Sequence, residues 1–279
     1  MSTAGTRKSI FITGAASGMG LETARLFSKG GWFVGAYDVN EAGLKDLQAE
    51  LGADNCLVRT LDVTDREDYK KALAEFSETT GGKMDLLFNN AGIGRGGFFD
   101  EQPFEDVMAV VNVNFVGVLN GIHLAVDLLK ATPNSLCFTT SSSSATFGMP
   151  GIAVYSATKH AVKGLTEALS VELSRFGIRV ADTLPGLIDT PILPDEAKAN
   201  APEEGMFRLV QPIEVAKAVW ASYHDNPERL HWFVPEEIGD LDKASALNPE
   251  GTRAGIAAQG PIAAAIEDAK AAQAAAAGD

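Results

Sequence analysis

Residues 9–20 read SIFITGAASGMG: a short apolar run closed by Thr13, then a turn with glycines at 14, 18 and 20. A strand that enters a glycine-rich turn and opens a helix makes a cradle for a pyrophosphate. Gly14 permits the tight turn, Gly18 lets the backbone approach a ligand, and Gly20 lets helix and strand pack closely. The new helix brings free N–H groups and a partial positive charge to the same spot. Ser17 and Met19 complete the turn. Its spacing departs from the commonest G-x-G-x-x-G fingerprint, so the turn gains its meaning from what surrounds it.

Outward from this stretch, short apolar runs alternate with helical patterns. The runs are SIFITG, WFVGAYD, CLVRTLDV, MDLLFNN, SLCFTTS, IRVADTLPG and LHWFVP, and the helical patterns fall near 18–30, 41–52, 65–80, 104–130, 153–176 and 213–225. The strands are apolar throughout, which predicts burial on both faces. Strand–helix alternation then predicts an α/β, doubly wound domain: a seven-stranded parallel sheet with helices on both faces. One catalytic domain is expected over 1–235. Within it, residues 187–211 are too long and Pro-rich for an ordinary connection and are read as a substrate loop. Residues 236–279, with 15 alanines in 44 positions, form a separate extension, helical or frayed.

The net charge of −14 argues against nucleic-acid and anionic-membrane partners, which demand clustered Lys and Arg. No stretch is read as approaching the ~18 apolar residues of a membrane span. The N-terminus shows no signal-peptide pattern, and Cys56 and Cys137 read as buried free thiols, so a cytoplasmic protein is expected. The four histidines have no ligand-like spacing, and no metal site is expected.

Asp38 closes the second strand, 18 residues beyond Gly20, where a carboxylate can accept hydrogen bonds from ribose hydroxyls. Asp62 and Val63 follow the third strand, near the place for an adenine. In NNAG, residues 89–92, Asn90 is suited to tying strands together, while the small Ala91 and Gly92 admit a cofactor. In YSATK, Tyr155 and Lys159 are spaced i, i+4 and share a helix face.

Taken together, TGAASGMG, NNAG, YSATK and PGLIDT resemble, in order and spacing, the short-chain dehydrogenase/reductase family with its Tyr-x-x-x-Lys motif. The resemblance covers roughly residues 8 to 235 and implies a Rossmann-type fold and NAD as cofactor. It makes Tyr155 the general acid/base, with Lys159 lowering its pKa and holding the nicotinamide ribose. It selects Ser142 as the substrate-binding hydroxyl, Ser144 as a second contact, and Asn114 rather than Asn112 as the helix-distorting asparagine of a proton relay. Pro185 and Gly186 would shape the turn from which Ile188 and Thr190 contact the carboxamide. Gly14, Ser17, Gly18, Met19, Gly20, Asp38, Asp62, Val63, Asn90, Ala91 and Gly92 complete the cofactor set.

The implied activity is interconversion of a secondary alcohol and a ketone. Phe98, Phe99, Phe147, Met149, Ile192, Leu193, Met206 and Phe207 suggest a hydrophobic small-molecule substrate, aromatic, alicyclic or steroid-like. Two other functions fit the fold: a non-catalytic nucleotide sensor, and an epimerase or dehydratase using transient oxidation. The resemblance also implies a homo-oligomer, dimer or tetramer, built on the helices that carry Asn114 and Tyr155.

Overall fold

The computed structural model describes residues 7–258 and 260–277. Seven strands form one parallel sheet: β1 (Ser9–Thr13), β2 (Phe33–Asp38), β3 (Cys56–Thr60), β4 (Leu86–Asn89), β5 (Leu136–Thr140), β6 (Arg179–Pro185) and β7 (His231–Val234). Their order is β3-β2-β1-β4-β5-β6-β7, so the chain winds one way from β1 to β3 and the other way from β4 to β7. That reversal opens a crevice at the C-terminal ends of β1 and β4, where α/β folds of this kind bind ligands.

The strands have continuous apolar sequences because each face has its own core. Ile10, Ile12, Val34, Ala36, Leu86, Phe88 and Phe138 point to one side. There they meet α1 (Gly18–Lys29), α2 (Glu41–Leu51) and α8 (Pro212–His224). Phe11, Phe33, Tyr37, Leu87, Cys137 and Val180 point to the other. That face is covered by α3 (Arg66–Thr80), α5 (Gly117–Lys130) and α6 (Ala153–Glu172). The alternation of odd and even residues between the two cores is the period-2 geometry of a strand buried on both sides.

The pattern at 104–130 resolves into α4 (Phe104–Val111), a π-helical turn (Asn112–Val116) and α5. This segment also corrects the expectation that no stretch approaches a membrane span. Phe104–Lys130, 27 residues with a mean hydropathy of 1.6 over its best window, is long and apolar enough by length and composition. Its polar residues are placed for a globular layer instead: Asn114 and Asn120 are buried, and Asn120 donates to Val63 O at 3.0 Å.

The loop after β6 carries a short helix, α7 (Asp195–Ala199), and is pinned at its base by a bridge between Ile188 and Val210. Lys198 pairs with Asp189 at 2.9 Å and holds α7 over that base. The C-terminal extension is helical in its described parts: α9 (Ile238–Leu247), α10 (Pro249–Ala257) and α11 (Gly260–Ala277). It is attached to the domain by the buried Ile238 and by a 2.6 Å ion pair from Asp242 to Lys163 of α6.

Candidate active site

The glycine turn is as tight as its sequence implies. Gly14 and Gly18 have φ of +68° and +52°, in the left-handed region that side chains disfavour. A Cβ on Gly20 would lie 2.0 Å from the Gly14 carbonyl oxygen, so the first turn of α1 seats directly on the end of β1. A Cβ on Gly18 would strike Thr190 Cγ2 at 2.8 Å, which puts the PGLIDT segment against the same turn. Ser17, the N-cap residue, is extended and its side chain makes no capping bond, so the helix N-terminus keeps donors for a ligand.

Asp38 stands at the tip of β2 beside this turn. Its Oδ2 accepts from Ala16 N at 3.0 Å and its Oδ1 from Asn40 N at 2.9 Å. These bonds fix the carboxylate at the rim of the crevice. Asp62 lies two residues beyond the end of β3, where its Oδ1 accepts from the backbone and hydroxyl of Thr64 at 2.9 and 2.8 Å. The neighbouring Val63 is buried and packs against Gly117.

Asn90 links three strands. Its amide donates to Thr13 O and Gly14 O, both at 3.1 Å, and its Oδ1 accepts from the Thr140 hydroxyl at 3.2 Å. The side chain therefore holds β1, β4 and β5 together at the crevice, and its own backbone N–H and that of Ala91 are held by Thr13 Oγ1. Gly92 sits between Asn114 Oδ1 and Lys159 Nζ, where an added Cβ would come within 3.3 and 3.8 Å. Asn114 is fully buried inside the π-helical turn and makes a two-bond pair with Ile93, accepting from its N–H at 2.8 Å and donating to its carbonyl at 2.9 Å. Asn112 begins the turn, but Asn114 makes the contact that anchors it.

Ser142, Tyr155 and Lys159 converge beyond the end of β5. Ser142 is buried and caps a 3₁₀ turn by accepting from Ser144 N at 3.1 Å. Ser141 donates to Lys159 O at 3.0 Å, which fits a structural role. The hydroxyl of Ser144 is buried without a partner among the described residues. Lys159 is buried in α6, donates from Nζ to Thr140 O at 2.8 Å and lies 5.5 Å from the centre of the Tyr155 ring.

The electrostatics differ from the expectation that Lys159 pulls the tyrosine down. Burial pushes the Tyr155 phenol above its ordinary value, and the Ser142 hydroxyl only partly offsets this. Burial also pushes the Lys159 ammonium down to about 8. Both shifts have one physical cause: desolvation disfavours the charged form of each group, and the lysine's nearest oxygen is a neutral carbonyl.

Pro185 ends β6, and Gly186 donates to Val234 O at 2.8 Å as the chain turns. Ile188 and Thr190 are buried, Thr190 lies against Gly18, and the Thr190 hydroxyl is 3.4 Å from Ile188 O. The residues predicted for catalysis and cofactor binding thus lie along the C-terminal end of the sheet. Thr13 and Thr140 were not anticipated. Thr13 closes an apolar run as a single hydroxyl, whereas Thr140 sits inside the hydroxyl run 139–144, where nothing in the sequence sets it apart.

The short chain dehydrogenase family profile matches residues 8–201. The chain belongs to that family. Among its relatives is a 3-oxoacyl-[acyl-carrier-protein] reductase of Thermotoga maritima, 35% identical over 76% of this chain and 88% of the relative. Cyclohexanol dehydrogenase of an Acinetobacter species is 34% identical over 76% of this chain and 86% of its own length. In three dimensions, a 3-ketoacyl-(acyl-carrier-protein) reductase from Brucella melitensis, solved with NADH, superposes with a TM-score of 0.74 at 29% identity, covering 81% of this chain and 96% of that one. This short-chain dehydrogenase is an oxidoreductase, and its matched region holds the glycine turn, Asn90, Asn114, Ser142, Tyr155 and Lys159.

Proposed function

We propose that the protein is an NAD(H)-dependent oxidoreductase that interconverts a hydrophobic secondary alcohol and its ketone. The observation that carries this reading is the meeting of Ser142, Tyr155 and Lys159 beside Gly92, at the mouth of the crevice that the glycine turn and Asp38 border. The crevice suits NAD: only glycine fits at 14, 18 and 20, the α1 N-terminus keeps its donors, and a carboxylate at Asp38 suits ribose hydroxyls. When bound, the cofactor supplies or takes the hydride.

The side chains handle the proton. Ser142 donates a hydrogen bond to the substrate oxygen and fixes it against the Tyr155 hydroxyl. In the direction of reduction Tyr155 gives that oxygen its proton; in oxidation the phenolate takes it back. The raised pKa keeps the phenol protonated at neutral pH, and the Lys159 cation lends the phenolate its countercharge when the proton leaves. Asn114, locked to Ile93, holds the π-helical turn and keeps the Gly92–Lys159 corner open.

An apolar substrate is supported by the groups around the mouth. Ile192 of the substrate loop lies 3.4 Å from the Cβ position of Gly94, and Ile152 lies 3.8 Å from that of Gly96. Phe98, Phe99 and Phe207 are exposed nearby in sequence to these walls. Relatives named for cyclohexanol and for a dichlorocyclohexadienediol add weight to an alicyclic alcohol. Phe147 and Met149 do not belong to this mouth, because they line a groove on another side of α6. A homo-oligomer, dimer or tetramer, is supported by Phe104, Met108 and Leu119, which leave an apolar stripe exposed along α4 and α5. The test of the activity is NADH formation across a panel of cyclic, aromatic and steroid alcohols. Steady turnover on one of them is expected, whereas tight NAD binding without turnover would favour a nucleotide sensor.

A further inference from the structure

The first helix of the C-terminal extension, α9, begins where three parts of the domain meet. Just past the end of β6, a Cβ on Gly186 would lie 3.2 Å from Met206 O, 3.5 Å from Ile238 Cδ1 and 3.5 Å from Pro235 Cδ. Met206 belongs to the return of the substrate loop, and Ile238, with no exposed surface, is the first residue of α9. The turn after β6, the loop and α9 therefore share one contact point, two residues before Ile188. The helix lies beyond the segment that matches the family profile.

Charged side chains extend this contact in three directions. Both terminal nitrogens of Arg229 donate to the Glu236 carboxylate, at 2.8 and 2.7 Å, and Arg229 lies 4.7 Å from the Trp232 ring centre, which ties the start of α9 to β7. Glu237 reaches the loop: Arg208 Nη1 donates to it at 2.8 Å and to Gly205 O at 2.9 Å. Asp242 reaches the catalytic helix, accepting from Lys163 of α6 at 2.6 Å. Lys163 follows Lys159 by four residues, so it continues the face that carries Tyr155 and Lys159. The Lys163–Asp242 pair, 17% and 24% exposed, is less screened by solvent than Arg208–Glu237, at 35% and 47%.

Only five residues separate Glu237 from Asp242, about 7.5 Å along a helix at 1.5 Å per residue. A strut that short does not bend, and a Cβ on Gly239 would come 2.9 Å from the Phe233 ring, so the helix sits directly on β7. A shift of α9 at its α6 end must then appear at its loop end. Each contact lies within one chain and needs no open surface.

We propose that α9 couples the substrate loop to the catalytic helix, with Glu237 and Asp242 as positioning residues, so that the loop's seat over the mouth and the pose of Tyr155 are set together. This rests on the reading of 187–211 as the substrate loop and of Tyr155 as the acid/base. Neither carboxylate touches the reacting atoms; each acts through the helix between them.

Hydrogen exchange of the full chain with NADH bound, followed by mass spectrometry, tests the coupling without requiring turnover. Asp242→Asn touches no loop residue, yet it should speed exchange across 195–208 by about three- to fivefold, the upper end for loss of a partly exposed ion pair. Exchange in β1 should stay as in wild type, and Asp242→Glu, which keeps the charge, should leave the loop slow. Glu237→Gln should speed the same segment, and the double variant should exceed the stronger single by less than the product of the two effects, since both act on one helix. On an alcohol that the wild type oxidises, Asp242→Asn should raise KM at least about threefold and leave NADH affinity unchanged. The coupling is overturned if Asp242→Asn leaves the loop exchanging as in wild type, if β1 speeds up equally, or if the two variants simply multiply. Absence of turnover on every alcohol would instead overturn the proposed activity, and the exchange results would still decide the coupling.

Discussion

Replacing His231 with leucine should destabilise the far edge of the sheet through a charge that it leaves behind. Asp182 on β6 has no exposed surface, and its Oδ1 is 2.7 Å from His231 Nδ1 on β7. Its Oδ2 is buried with no partner among the described residues. Around the pair stand Glu167 on α6, 3.4 Å from His231 Nε2, and Lys163, which is engaged by Asp242 of α9. Removing one member of a buried pair costs about 3–5 kcal/mol, because the other charge stays behind. Asp182 can limit that loss by taking up a proton, at about 1.4 kcal/mol per unit between solution pH and its shifted pKa. A net loss of about 3 kcal/mol is therefore expected at pH 7, or a fall of about 6–12 °C in Tm for a domain of this size.

The pH dependence has a definite sign. Burial alone would lower His231, but its hydrogen bond and charge interaction with Asp182 outweigh that and raise its pKa. Burial raises Asp182 despite the opposing pull of His231. A raised histidine stabilises fully below its unfolded value of about 6.5, and that contribution fades as pH climbs through the folded value. A raised aspartate acts in the same direction, since the folded state binds its proton more tightly. Wild-type Tm measured by scanning calorimetry should thus fall from pH 6 to 9 more steeply than that of the double variant Asp182→Leu/His231→Leu. The double variant should lie within about 1 kcal/mol of wild type, because a hydrophobic pair can replace a buried ion pair. A single His231→Leu variant melting within about 2 °C of wild type at pH 7, or a double variant worse than the single, would refute the reasoning.

Tyr155→Phe is expected to keep the fold and NADH binding while turnover falls by ~10²–10⁴, the usual contribution of a general acid/base, and a kcat within a few-fold of wild type would remove Tyr155 from that role. NAD should be preferred to NADP by at least about tenfold in kcat/KM, because Asp38 would face the extra phosphate with like charge, and Asp38→Ala should relax the preference. If NADP serves equally well in the wild type, the carboxylate does not face the ribose. Gly20→Ala puts a methyl 2.0 Å from the Gly14 carbonyl and should both lower Tm and weaken NADH binding; unchanged values would show that the turn yields freely. Light scattering should give a dimer or tetramer that Phe104→Asp with Met108→Asp dissociates, whereas a monomeric wild type would leave the exposed α4–α5 stripe without that partner.

The sequence alone determined the sheet and pointed to most of the candidate site, because both are written in local chemistry. Strands buried on two faces must be apolar at every position, so β1 to β7 could be read as runs, while the point where the winding reverses came from the strand order in the sheet. A turn with φ near +60° needs glycine, so Gly14 and Gly18 marked the cradle directly. Tyr155 and Lys159 were legible as a pair because helical spacing alone puts them on one face.

Only the tertiary structure decided what depends on neighbours distant in the chain. Asp182 and His231 are 49 residues apart, and neither looked unusual until β6 and β7 came into register. The direction of the Tyr155 and Lys159 shifts came from burial, which no spacing encodes, and it reversed the expectation for the phenol. The packing of the apolar residues of α5 against the sheet and the destination of Phe147 and Met149 were equally open until the layers were assembled. Periodicity reports which face of an element is apolar, while desolvation and pairing are properties of what finally packs against that face.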